Sequence, residues 1–130
     1  MTSTAPESIL QELARFPGID GCALVEIDTG MVWYHAGSLP DVDRIAEAAV
    51  EFWRIQIRLS SNFSTMGKLQ SAAYSFSQQV VALFPCSETP PLVLICIAQK
   101  TNVVWSEWGA QVQTLKLALQ SRGANAVKAT

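Results

Sequence analysis

Leu92-Val93-Leu94-Ile95-Cys96-Ile97 is the most apolar run in the chain, flanked by Pro91 and by Gln99-Lys100. The whole apolar stretch, Pro90 to Ala98, is far shorter than the roughly 20 residues a membrane-spanning helix needs. A short, β-branched run with such flanks reads as a central strand, apolar on both faces because both are covered. Cys22-Ala23-Leu24-Val25, which Ile27 extends past Glu26, reads in the same way. A sheet with two such strands needs helices on each side, and the remaining pattern supplies them.

Thr4-Ala5-Pro6-Glu7 reads as a helix start, with Thr4 and Glu7 placed for a capping box. Ile9, Leu10, Leu13 and Phe16 follow at helical spacing, and Pro17-Gly18 stops the first helix, expected over Pro6 to Phe16. Asp28-Thr29-Gly30 is a tight turn between the strand at Gly21 to Ile27 and a second strand at Met31 to Ala36. A long helix two is expected over Asp41 to Leu59, acidic near its start and carrying Arg54 and Arg58 near its end. Ser60 to Gly67 reads as a loop, Leu69 to Phe76 and Gln79 to Phe84 as strands three and four, and Cys86 to Pro91 as a loop. Asn102 is placed to cap a third helix, whose face is marked by Val104, Trp105, Trp108, Val112, Leu115 and Leu119. The order predicts an α+β domain with one sheet.

The chain has 130 residues, 49% of them hydrophobic, which suits one domain with a real core rather than a disordered segment. The formal net charge is −2 and the basic residues are scattered, so neither a nucleic-acid footprint nor a polybasic membrane patch is expected. Met1 to Ser8 has no basic n-region and no apolar h-region, which argues against a signal peptide and for a cytoplasmic location. Three cysteines without close pairs argue against a disulfide framework or zinc site. Cys22 and Cys96 read as small buried hydrophobes, whereas Cys86 falls where exposure is expected.

No catalytic signature emerges. His35 is the only histidine and alternates with Met31 and Trp33 on a strand. Gly67-Lys68 resembles the end of a phosphate loop, but Leu69 stands where Ser or Thr is required and Asn62 where Gly is. Asp41 and Asp43 lie at a helix start, where they suit the macrodipole. No catalytic, metal-binding or cofactor-binding residue is expected, and no cofactor.

Helix two carries the strongest interaction signal. Asp43, Glu47, Glu51, Arg54 and Arg58 form one polar stripe, a candidate partner surface or a merely solvated face. Val42, Ile45, Ala46, Ala49, Val50, Phe52, Trp53, Ile57 and Leu59 fill most of the rest. That arc is wider than the stripe of about 100° usual for a surface helix. It predicts an interface with Trp53 as anchor, unless a curved sheet covers it all. Trp105 and Trp108 are expected mainly in the core.

The helix ending at Leu13 to Phe16, then Pro17-Gly18-Ile19-Asp20-Gly21, the strand Cys22 to Ile27 and the turn Asp28-Thr29-Gly30 resemble the Roadblock family of dynein light chains and their bacterial relatives. The long helix two, the Leu69 to Phe84 hairpin and the apolar strand leading into a helix continue the likeness over roughly Ser8 to Gln120. One domain is expected over residues 8–120, with a flexible segment at 1–7 and, where the chain turns to Ser, Gly, Asn and Lys, a flexible tail at 121–130. The resemblance implies a five-stranded antiparallel sheet ordered 2-1-5-4-3, with helices one and three on one face and helix two on the other, in profilin-like layers. It further implies a homodimer built by joining two strand-three edges and two copies of helix two. The residues expected there are Ile45, Ala49, Phe52, Trp53, Gln56, Leu69, Ser71 and Ala73. Family members act as platforms or regulators for small Ras-like GTPases or as adaptors on motor complexes, so a non-enzymatic module of that kind is expected. The alternative is a sensor that holds a small molecule between sheet and helix.

Overall fold

The structure is a computed structural model that describes residues 5–101 and 103–129, with only the backbone of 122–129. Five strands form one antiparallel sheet in the order β2-β1-β5-β4-β3. The strands are β1 (Ile19–Glu26), β2 (Val32–Gly37), β3 (Ala72–Ser75), β4 (Gln79–Glu88) and β5 (Pro91–Gln99). The helices are α1 (Pro6–Ala14), α2 (Val42–Arg58) and α3 (Trp105–Ala129), with a 3₁₀ helix at Ser60–Met66. The α+β class, the strand order and the placement of the helices agree with the expectation.

The two most apolar strands, β1 and β5, sit side by side near the centre, and alternation divides their residues between two cores. On one face Cys22, Leu24, Leu92, Leu94 and Cys96 pack against Ile9, Leu10 and Leu13 of α1 and Trp108, Val112 and Leu115 of α3. On the other, Ala23, Val25, Val93, Ile95 and Ile97 pack under Val42, Ala46, Ala49, Val50 and Trp53 of α2. Each large aliphatic side chain taken fully from water contributes on the order of 1.5–3 kcal/mol. Two filled layers therefore explain the uninterrupted apolar run in β5, which has no solvent face.

Local chemistry fixes the ends. Trp108 is fully buried, and its indole Nε1 donates to the Leu13 carbonyl at 3.2 Å, tying α3 to α1. In the β1–β2 turn Gly30 has φ +76°, and its N–H donates to Glu26 O at 2.8 Å. Gly21 lets α2 approach β1: a Cβ there would lie 2.8 Å from Val42 Cγ2. The carbonyl of Ile27 accepts from Arg54 Nε and Nη2 at 2.9 and 2.7 Å, so the hairpin end is clamped to α2.

Several boundaries differ from the sequence reading. The Thr4 half of the capping box and the Asn102 cap lie outside the described residues; the α1 N-cap is Ala5, with no side-chain cap bond. Ser60 to Met66 is not a plain loop but a 3₁₀ helix with no buried residue. The third strand is only four residues long, so Leu69 and Ser71 fall before it. Its pairing ends at Ala72↔Leu83, because β4 next reaches Pro85, which has no N–H, and a bulge between Pro85 and Ser87. That bulge also lets β4 continue past the expected loop: Ser87 pairs with Leu92 and Glu88 with Pro91. Cys86 is consequently in a strand and buried, not exposed. The α3 backbone runs to Ala129, beyond Leu119, where the apolar pattern ends. The stretch after Leu119 has no proline to break the helix.

Burial pushes the Cys86 thiol up to about 12, so almost none of it is thiolate near neutrality. Cys22 and Cys96 face each other on neighbouring strands, and the thiol of Cys96 is raised by its bond with Cys22 and by burial. All three cysteines are free and buried. A thiol reagent at neutral pH is expected to label the native protein only as fast as it opens, at least about a hundredfold more slowly than in denaturant. Rapid stoichiometric labelling of the native state would contradict this burial.

Candidate interaction surface

Helix α2 carries two apolar stripes. The first, Val42, Ala46, Ala49, Val50 and Trp53, is buried on the sheet. The second is Ile45, Ala48, Phe52, Ile55 and Leu59, spaced three, four, three and four residues apart. Ile45 and Phe52 are half-buried, and Ala48, Ile55 and Leu59 are exposed. That alternation is the narrow seam by which one helix pairs with another. Ile55 is 41% exposed and Leu59 44%, too much for residues serving their own core.

The seam faces the β3 edge of the sheet. The Phe52 ring stacks on Tyr74 of β3 with centroids 4.3 Å apart and planes 26° apart. Gln56 Nε2 donates to the Tyr74 hydroxyl at 3.2 Å. Among the described residues no further strand pairs beyond β3, so its outer N–H and C=O groups form an open edge. Seam and edge thus form one continuous surface. Its surroundings are also apolar: Phe63 is 48% exposed, Met66 81%, Leu69 47% and Phe76 52%. Every residue from Ile57 to Ser71 is exposed.

Between the end of α2, the 3₁₀ helix and the segment leading into β3 lies an open groove of about 1110 Å³. Trp53, Ile57, Phe63, Met66 and Leu69 line it on its apolar part, and serines with the Lys68–Glu88 ion pair, 2.8 Å long, line the rest. The pair raises the Lys68 ammonium and lowers the Glu88 carboxyl from their ordinary values, each through its hydrogen bond with the other.

The expected interface residues separate into three groups. Ile45 and Phe52 are half-buried members of the seam and Gln56 lies half-buried beside them, and Ala73, Leu69 and Ser71 are exposed at or just before β3. Ala49 and Trp53 do not belong with them. They are 2% and 5% exposed and pack in the core beneath α2, so Trp53 is not a free anchor. The missed residues are Ala48, Ile55 and Leu59 of the seam, together with Phe63, Met66 and Phe76. The three-four spacing of the seam was available in the sequence; the exposure of the other three depends on packing.

On the polar stripe, Asp43, Glu47, Glu51 and Arg58 are exposed, but Arg54 is partly buried and spent on the Ile27 carbonyl and on Glu51. It is a structural clamp, not part of an open face. Replacing Arg54 by Ala is expected to lower stability by about 1–2 kcal/mol, the worth of charge-assisted bonds at a site that still sees water. Urea denaturation measures this, and an unchanged midpoint would remove the clamp.

Among the described residues no cluster of three or more His, Cys, Asp or Glu is placed to hold a metal ion, and no helix is long and apolar enough to cross a membrane. His35 is exposed on β2.

No protein-family model matches the chain, and no curated protein sequence does. Solved structures do. A Roadblock/LC7 domain from Streptomyces avermitilis superposes with a TM-score of 0.75 at 16% identity, covering 89% of this chain and 95% of that one. MglB of Myxococcus xanthus gives 0.70 at 10% identity, with 92% and 88% covered. An MglB described in a tetrameric arrangement gives 0.70 at 17% identity, with 90% and 92% covered. With the same strand order and layers over nearly the whole of each chain, the protein has the Roadblock/LC7 fold.

Proposed function

We propose that the chain is a non-enzymatic interaction module that pairs with a second copy of itself, through the α2 seam and the β3 edge. The carrying observation is the second apolar stripe of α2, at coiled-coil spacing, continuous with an unpaired strand edge. A twofold axis through this surface would set each seam against its twin and join two sheets into one, satisfying both edges at once. The tetrameric arrangement of one structurally similar MglB is consistent with self-association in this fold. Sedimentation at micromolar concentration tests the reading: a dimer is expected, and a monomer would overturn it.

The paired module is in turn a scaffold or regulator for a small Ras-like GTPase, as its resemblance to Roadblock proteins suggests. Asp43, Glu47, Glu51 and Arg58 remain exposed on the solvent face of α2 that flanks the seam and offer that partner a charged face. Capture of a GTPase in one nucleotide state is the expected result, and indifference to nucleotide across candidates would defeat it. A sensor holding a ligand between sheet and helix is less well supported, because both interlayer spaces are filled by apolar side chains. The two closely packed cores support the same choice over an enzyme. The expected setting is the cytoplasm, with neither nucleic acid nor membrane as partner.

A further inference from the structure

The β3–β4 hairpin ends in a two-residue turn, Ser77-Gln78, closed by the Phe76 N–H donating to Gln79 O at 2.8 Å. Phe76 continues the alternation that sends Ala72 and Tyr74 toward α2, so its ring projects on the α2 side of the sheet. It is 52% exposed there, an aromatic ring at a turn tip with little of its own fold against it. At the opposite end of the same short strand lies the groove whose apolar wall includes Phe63 and Met66.

Twofold pairing of β3 with β3 connects these two features. Residues directly opposite in an antiparallel ladder point to the same face, so the axis must pass between a residue and its own twin. If Ala73 faces Ala73, Phe76 of the second copy stands opposite Gln70. If Tyr74 faces Tyr74, it stands opposite Ala72. Either register delivers the ring to the α2 side at the entrance of β3, beside the groove that Gln70 itself lines.

We propose that this groove is the seat of the β3–β4 turn of the second copy, anchored by Phe76, so that each subunit completes the other's groove. The inference rests on the self-pairing reading above and adds a partner-supplied residue to it. The groove has room for the turn as well as the ring, and Ile57, Phe63, Met66 and Leu69 give it an apolar wall. The arrangement accounts for two otherwise unexplained features: a strap with no buried residue and an aromatic ring left in water. In the pair, both would be removed from solvent reciprocally.

Sedimentation equilibrium of four proteins tests it: the natural chain, Phe76→Ala, Met66→Ala and the double variant. Phe76→Ala is expected to raise the dimer dissociation constant by about thirtyfold, the scale of an aromatic hot spot. Met66→Ala should weaken pairing as well, and the double variant should lose less than the product of the two effects, since they remove one shared contact. Unchanged far-ultraviolet circular dichroism and melting of the diluted monomer exclude unfolding as the cause. A dimer whose dissociation constant is within twofold for Phe76→Ala, or effects that simply multiply, would overturn the seat while leaving self-pairing intact. A natural chain that stays monomeric overturns the self-pairing reading, and the seat with it.

Discussion

Trp53→Glu is expected to leave the chain unfolded rather than monomeric and folded. Trp53 is 5% exposed and packs with Val25, Val50 and Ile95 in the core beneath α2. Truncating a buried tryptophan costs about 3–5 kcal/mol in lost burial and cavity. A carboxylate placed there without a partner adds several kcal/mol more, or a proton must be taken up to avoid it. A domain of this size has only about 5–15 kcal/mol of stability to lose. Far-ultraviolet circular dichroism and thermal melting decide the matter. Trp53→Phe, which keeps an apolar ring, should fold with a lowered melting temperature, and Trp53→Glu should show no cooperative transition. A folded Trp53→Glu with native melting would show that the indole is not core.

The same residue shows where sequence pattern is informative and where it stops. The central place of β1 and β5 and the buried identities of Cys22, Leu94 and Cys96 follow from runs that are apolar on both faces, because only a covered strand tolerates them, whereas the full strand order is implied by the resemblance to Roadblock proteins. On α2, composition shows that more apolar surface exists than one stripe requires, but not which part meets the sheet. The crossing of α2 over β1, set by the bare Gly21 against Val42, turns Ala49 and Trp53 inward and leaves Ile55 and Leu59 outside. Hot-spot statistics favour Trp53, whereas the helical register gives it to the core. Arg54 shows the same for charge: its stripe is legible, but the Ile27 carbonyl that binds it lies 27 residues away. Cys86 and the shortened β3 were hidden for another reason. Pro85 looks like the end of a strand, yet a bulge accommodates it, so β4 survives on the β5 side while losing its β3 partner.

Charge on the exposed seam should have the opposite effect to charge at Trp53. Ile55→Glu with Leu59→Glu is expected to yield a folded monomer. Both positions already face water in the single chain, so the helix tolerates carboxylates there, with only small changes in melting of the dissociated protein. In a twofold pair, a seam residue lies against the same stripe of its twin, so two substitutions put four carboxylates into one apolar contact. Each must be desolvated or keep the helices apart, and like charges repel besides. Pairing should weaken by at least on the order of a hundredfold, about 2.7 kcal/mol, leaving monomer at concentrations where the natural chain is dimeric. The comparison with Asp43→Lys and Glu47→Lys makes the test specific: those substitutions lie off the seam and should leave dimerisation unchanged. If the doubly substituted seam still dimerises with native affinity, the second stripe of α2 serves some other contact, and the β3 edge together with the seated β3–β4 turn holds the two copies together. Four residues of ladder at Ala72–Ser75 are too few to do so without that turn.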